Sequence, residues 1–490
     1  MKRLRPTLTV LEEEAIASIF AGAVTVLEDT GVKFLNEKAI QALKDGGADV
    51  NDEHQIAKIP RELVKEAIKI APKSIKIYDR NGDLWMTLEG NSVYFHPGGS
   101  AIKFLDSQTR AARDPTTKDL AEFAHLVDAL ENIHAQSVSI NPMDIPHPLI
   151  DRWRVYVILN NSTKPLIDGV FSVESLHDLK DMILTFRGDL KTLAQKPFLI
   201  VDACPSPPLQ WDRHVTQNII DSATFGMPVE FISMPLAGAT APATLAGSLV
   251  LHTAETLSGI VLAQLVNPRA PVIYGGSPAI FDMKFGTTPM GAIETQLLDC
   301  GYVQIGKHFD LPTHSFMGLS DSKTIDAQLG FESASGTLLA ALMGVNLVAG
   351  PGMLEFESCE SPEKLVLDNE MCGLALRFIE GIDVTEETLA IDLFNKIGTG
   401  GSFLETKHTL EWFRKEQYLN LRVFNRQERG QWIQKGAKDS WNKAQEVVNS
   451  ILSEYIPDPL PLDVQTDLDG IMQRIAERMG VNALPQARYW

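Results

Sequence analysis

Residues 228 to 277 decide the fold. PVEFISM (228–234) is a short apolar run, LAGSLVLHTAETLSGIVLAQLV (245–266) a long helical stretch, and PVIYGGS (271–277) a second short run. Short runs rich in β-branched and aromatic residues form buried strands, and longer stretches with apolar residues at three- and four-residue spacing form helices. Two such strands joined by a helix make a βα unit, in which the strands lie parallel.

The rhythm extends in both directions. VYF (93–95), HAQSVSI (134–140), PLIDGVF (165–171) and PFLIVDA (197–203) precede this unit, and THSFMG (313–318) and NLVAGPG (346–352) follow it. Helical stretches such as TTKDLAEFAHLVDALE (116–131), SLHDLKDMILTF (175–186) and PEKLVLDNEMCGLALRFIEG (362–381) fall between or after them. Eight parallel strands with intervening helices are the count that closes a (β/α)8 TIM barrel. An open doubly wound sheet is the competing architecture, and no G-x-G-x-x-G turn follows any of these strands to favour it.

Outside residues 91–380 the pattern changes. Residues 1–90 read as an N-terminal helical and hairpin region, with helices in 10–32 and 60–71. SIKIYDRNGDLWMTL (74–88) alternates on either side of Asn81-Gly82-Asp83, which is turn chemistry for a β-hairpin. Residues 381–490 read as a C-terminal helical extension, broken by the proline-rich IPDPLPLD (456–463).

The 490 residues are 44% hydrophobic and 22% charged, with a net charge of −19. That acidity argues against nucleic acid or an anionic membrane as partner, because both need a basic footprint. Four dispersed cysteines without a C-x-x-C pair suit a reducing compartment. The basic start meets three glutamates instead of an apolar signal core. No uninterrupted apolar run reaches the ~20 residues of a membrane span. A cytoplasmic protein is therefore expected.

A barrel builds its site from the loops after its strands. Those loops carry His96, Gly98 and Gly99 after the first strand and Asp202 after the fourth. Tyr274, Gly275 and Gly276 come after the sixth, with Phe281, Met283 and Phe285 just beyond. His314, Phe316 and Lys323 mark the seventh, and Gly350, Gly352, Glu355, Phe356 and Glu357 the eighth. Glycines let a bulky ligand approach the backbone, and rings with a nearby carboxylate hold a quaternary ammonium by cation–π attraction. The competing readings are that these aromatics pack loops and that the two histidines are core residues. Lys323 could form a Schiff base, as in a barrel lyase or aldolase, or sit in a Ser-Asp-Ser-Lys helix cap. No H-E-x-x-H helix or zinc-spaced Cys/His cluster occurs, so no metal site is expected.

At these residues the chain resembles the trimethylamine and glycine betaine:corrinoid methyltransferases. The resemblance is carried by YFHPGGSA (94–101), ARDPTTKDL (112–120), HSFMGLSDSKTIDAQLGFE (314–332), LVAGPGMLE (347–355), SPEKLVLDNEMCG (361–373) and GTGGSFLETKHTL (398–410). It extends from about residue 10 to 455. Trimethylamine enzymes of the family carry pyrrolysine, whose counterpart is expected near Asp326-Ala327-Gln328, where only standard residues stand. The resemblance therefore implies the non-pyrrolysine branch, which demethylates quaternary amines: glycine betaine first, with proline betaine, carnitine and γ-butyrobetaine as alternatives. It implies methyl transfer to cob(I)alamin carried by a partner corrinoid protein, with no cofactor bound directly by this chain, which lacks a D-x-H-x-x-G signature. Expected substrate-binding residues are Tyr274, Phe316, Phe356, His96, Asp202, Glu355 and His314. Gly98, Gly99, Gly275, Gly276, Phe281, Met283, Gly350 and Gly352 are expected to line the pocket. No acid–base catalytic residue is expected, because a quaternary nitrogen leaves as a neutral amine. A passive betaine-binding protein is the remaining alternative, and a homo-oligomer is expected on general grounds.

Overall fold

The computed structural model describes residues 4–489. Eight strands form the wall of a barrel: β1 (Tyr94–Phe95), β2 (Gln136–Ser137), β3 (Leu166–Gly169), β4 (Leu199–Ala203), β5 (Val229–Ser233), β6 (Val272–Gly276), β7 (His314–Phe316) and β8 (Leu347–Ala349). Each leads to a helix: α1 (Thr117–Ala129), α2 (Ile150–Asn161), α3 (Val173–Arg187), α4 (Arg213–Phe225), α5 (Leu245–Val266), α6 (Ile293–His308), α7 (Ala327–Met343) and α8 (Pro362–Ile379). Strands β2 to β6 pair in order and in parallel, as do β7, β8 and β1. The seams between the two groups are stitched by parallel bridges, Tyr274 with Thr313 and Ala101 with Ile140. The fold is the (β/α)8 barrel expected from the rhythm of the chain.

Local chemistry sets the helix ends. A capping box of Thr116 and Asp119 opens α1, Ser361 with Pro362 behind it opens α8, and left-handed Gly226 closes α4. Helix α5 is long and apolar enough to cross a membrane. Here it is buried in the protein core, packed between the strands and the N-terminal helices.

The N-terminal hairpin, Ile75–Tyr78 paired with Leu84–Leu88, closes the barrel from below. Its Ile75, Ile77, Met86 and Leu88 form one apolar cluster with Ala135, Ile167, Ile200, Ile273 and Leu347 of the barrel. Each buried aliphatic side chain of this kind stabilises by about 1.5–3 kcal/mol. The barrel thus has a sealed base and a site at its other end. Helices Ser440–Glu454 and Leu462–Arg478 share the main core with the barrel helices. The segment between them and α8 differs: its four short helices, from Glu386–Leu389 to Arg429–Gln434, bury none of their residues.

Candidate active site at the barrel mouth

Side chains alternate along a strand, so the inward apolar layer fixes which residues face the lumen one step higher. Above Ile167 lies Gly169, above Ile200 lies Asp202, and above Ile273 lies Gly275. Register pairs Gly169 with Asp202, Asp202 with Glu230, and Ile232 with Gly275. His314 and Phe316 of β7 face the same side, as does His96 just past β1. The lumen floor is therefore polar: His96, Asp202, Glu230 and His314.

Nδ1 of His314 lies 3.0 Å from Oε1 of Glu230, both side chains 0% exposed. The His96 and His314 rings are 5.4 Å apart, centroid to centroid. Strand β6 runs between Glu230 and His314, and the pair meets only because Gly275 has no side chain. A Cβ there would lie 3.3 Å from Cβ of His314 and 3.4 Å from Cγ of Glu230.

Burial dominates the electrostatics. Desolvation pushes the Glu230 carboxyl well above the usual range, and desolvation together with Glu230 does the same to Asp202. It lowers His314 to about 3. Desolvation, with His314 adding to it, takes His96 well below its ordinary value. Burial thus works against charge on both partners of the close Glu230–His314 contact. Both ring nitrogens of His96 and His314, both Glu230 oxygens and Oδ1 of Asp202 lack an aligned hydrogen bond. Each such buried group costs about 1–3 kcal/mol if nothing fills its valence. Several together mark a space shaped for a polar ligand. Cys204, just past Asp202, is solvent-exposed, yet burial, then Asp202, Glu230 and Glu357, push its thiol up.

Above this floor the wall turns apolar. Ala101, Ala279, Met290, Leu319 and Met353 cluster with the half-buried Leu236, Phe316 and Phe356. The Phe316 ring meets His314 edge-on at 4.8 Å. Phe356 arrives by unusual backbone geometry. Glu355, Phe356 and Glu357 all have positive φ, 54°, 57° and 67°, at about 1–2 kcal/mol for each L-residue. The turn is clamped by strands Met353–Leu354 and Cys359–Glu360, and by the Glu355 amide donating to the Ser322 carbonyl at 3.1 Å. It directs Glu357 toward Asp202, and burial, with Asp202 adding to it, raises the Glu357 carboxyl to about 8. Asp321 pins the opposite wall, accepting the amides of Met290 and Gly291 at 2.9 Å each.

The expected site residues divide accordingly. His96, His314, Asp202, Phe316 and Phe356 converge on the lumen, with Gly275 between them. Tyr274 does not face it. It points outward, its hydroxyl 3.1 Å from that of Thr253 on α5 and its ring against His252 and Phe309. Glu355 sits on the outer rim near Lys103, which Asp114 and, more weakly, Glu355 hold above its ordinary pKa. Gly98 lets Met353 pack against the backbone, since a Cβ would come within 1.8 Å of its sulfur. Gly276 faces His252 behind the wall. Gly350 and Gly352 take positive φ, 118° and 94°, in the loop after β8. Phe281 is half-buried and Met283 exposed on the outer lip. Lys323 lies with Nζ 3.9 Å from the Phe356 ring centre, above the wall and away from the floor. Glu230 escaped the sequence reading. Its signal was a lone carboxylate inside the apolar run VEFIS. Among the described residues no group of three His, Cys, Asp or Glu has metal-ligating geometry.

The description of the trimethylamine methyltransferase (MTTB) family matches residues 1–480. Trimethylamine methyltransferase MttB of Desulfitobacterium hafniense (strain DSM 10664 / DCB-2) is 35% identical over 435 residues, covering 89% of this chain and 87% of that protein. MttB of Methanosarcina barkeri is 34% identical over 435 residues, covering 87% of each. Glycine betaine methyltransferase of D. hafniense (strain Y51) is 31% identical over 424 residues, covering 86% of this chain and 88% of that one. The crystal structure of the M. barkeri monomethylamine methyltransferase MtmB superposes with a TM-score of 0.53 at 12% identity, over 97% of this chain and 90% of that one. That last likeness is one of fold.

Proposed function

The chain belongs to the trimethylamine methyltransferase family and is a methyltransferase, and from that premise we propose that it takes one methyl group from a quaternary amine, glycine betaine first. The acceptor is cob(I)alamin on a separate corrinoid protein, so cobalamin is a co-substrate presented at the mouth. The observation that carries the proposal is the interior below the mouth: aromatic and methionine walls over a buried polar floor of His96, Asp202, Glu230 and His314.

A quaternary nitrogen expels a neutral tertiary amine, so the reaction asks for no proton donor. It asks for a shaped, dry hole and a straight path from N–CH3 to the acceptor. Phe316, and the face of Phe356 that Lys323 does not cover, offer ring faces to the ammonium at about 0.5–2 kcal/mol each. Burial raises the Asp202 carboxyl well above its ordinary value and Glu357 to about 8, which works against their clamping the cation as ion pairs. That restraint helps turnover, because the positive charge vanishes along the reaction and a tight ground-state ion pair would raise the barrier. Ile102, Met143, Phe171, Met283 and Phe285 expose apolar surface in loops after β1, β2, β3 and β6. An apolar rim of this kind suits docking of a broad partner. Every residue of the chain is a standard one, which favours quaternary amines over trimethylamine. Proline betaine, carnitine and γ-butyrobetaine satisfy the same chemistry.

The test mixes the full-length protein, glycine betaine and a corrinoid protein reduced to cob(I)alamin. Dimethylglycine, read by mass spectrometry, should form in step with methylation of the corrinoid, read by absorption. Tight betaine binding without methyl transfer from any quaternary amine would make the chain a binding protein. A borohydride-trapped Lys323 adduct with a carbonyl substrate would make it an aldolase.

A further inference from the structure

We infer that His96, His314 and Glu230 form a carboxylate-binding floor, so that a zwitterionic quaternary amine enters the barrel carboxylate first. The inference rests on the methyl-transfer reading and adds the orientation of the substrate and the residues that select its anionic end.

The direction follows from the fold. The base is sealed by the hairpin cluster of Ile75, Ile77, Met86 and Leu88, so a methyl acceptor can approach only from the mouth. The methyl to be transferred must then face outward, and whatever substituent lies opposite the ammonium must face the floor. A floor built for an alkyl chain would be apolar. This one presents two imidazoles and a carboxyl group at 0–2% exposure, with no aligned hydrogen bond on any of their side-chain nitrogens or oxygens. A neutral imidazole carries one N–H and a protonated carboxyl one O–H. One of these donors is taken up in the 3.0 Å Glu230–His314 contact, which leaves two to receive the two oxygens of a carboxylate.

The surrounding groups permit it. Asp202 on β4 and Glu357 on the hairpin turn face the same space; burial pushes the Asp202 carboxyl well above its ordinary value and the Glu357 carboxyl to about 8, which works against negative charge on either. Ser137 on β2 is committed to the carbonyls of Pro97 and Gly98 at 2.8 and 2.7 Å. Tyr302 on α6 donates to the His314 carbonyl from outside the wall, at 3.0 Å. Arg154 on α2 lies beside Asp151 and Asp168 at 3.5 and 3.4 Å. Burial therefore works against a fixed anion opposing an incoming carboxylate.

The experiment compares glycine betaine with choline, which keeps the trimethylammonium and lacks the carboxylate. Dissociation constants are measured by calorimetry on the full-length wild type and on H96Q, H314Q and E230Q. Wild type should bind betaine at least 10-fold more tightly than choline. H314Q and H96Q should each weaken betaine about 10–100-fold, the loss of one hydrogen bond to a charged group, while choline affinity stays within about 2-fold. An unchanged choline value shows that the pocket has folded. Equal losses for both ligands, unchanged betaine binding in all three variants, or a wild type that prefers choline would each overturn the inference. Methyl transfer from choline at least as efficient as from betaine would leave the methyltransferase reading intact while removing the floor. A wild type that binds neither ligand and methylates no corrinoid would remove both.

Discussion

Replacing Gly275 by Ala should damage the floor through space alone. Gly275 is not among the residues with positive φ, so alanine meets no dihedral penalty there. Its Cβ, however, would stand 2.9 Å from the Phe231 carbonyl oxygen, closer than real Cβ contacts, and 3.3–3.4 Å from His314 and Glu230. The nearest atom is backbone in a central parallel strand, so the strain cannot be relieved by rotating a side chain. Overpacking of this kind costs about 1–3 kcal/mol. Removing a glycine from the unfolded chain offsets about 0.4–1 kcal/mol. The net expectation is a loss of about 0–2.6 kcal/mol, with Glu230 and His314 pushed apart. Urea unfolding of G275A should show a lower midpoint at an unchanged slope, and betaine affinity should fall while choline affinity holds. G276A is the control: its Cβ would come within 2.1 Å of Nε2 of His252 behind the wall, so it should lose stability without changing the betaine–choline ratio. A G275A protein with wild-type stability and wild-type betaine affinity would refute the reasoning.

Phe356→Ala and Phe316→Ala should each weaken betaine and choline alike, by about 2–30-fold if each ring contributes about 0.5–2 kcal/mol, measured by calorimetry. Tyr274→Phe removes only the hydrogen bond to Thr253. It should cost about 1 kcal/mol in urea unfolding and leave methyl transfer unchanged, because the ring lies outside the lumen. The Asp321 carboxyl is raised by burial to about 6 from 3.8. A raised carboxyl binds its proton more tightly folded than unfolded, so it contributes stability below about pH 4 that is lost as pH rises through about 6. The stability of wild type relative to D321N should therefore decline over that interval, read from urea midpoints at each pH, and a flat difference would contradict the burial of this group.

Much of the architecture was written locally. Strand-length runs separated by helical stretches and the Asn81-Gly82 turn each depend on a few neighbouring residues, and so they were legible from the chain. The family resemblance was legible for the same reason, in short stretches at loop positions. What the sequence could not say was which face of each strand looks inward. Both faces of a barrel strand are buried and apolar, and a shift of one residue exchanges them. Tyr274 and Gly275 stand side by side in PVIYGGS, and only the packing of Ile273 against the base sends the tyrosine outward and opens the lumen at the glycine. The same parity brings Glu230 to His314 from a strand 84 positions earlier. Phe356 and Glu357 reach the mouth through a left-handed turn that no motif encodes, held by contacts with Ser322 and the strands beside it. Composition and periodicity decided that there would be a barrel; long-range register and strain decided what its interior could bind.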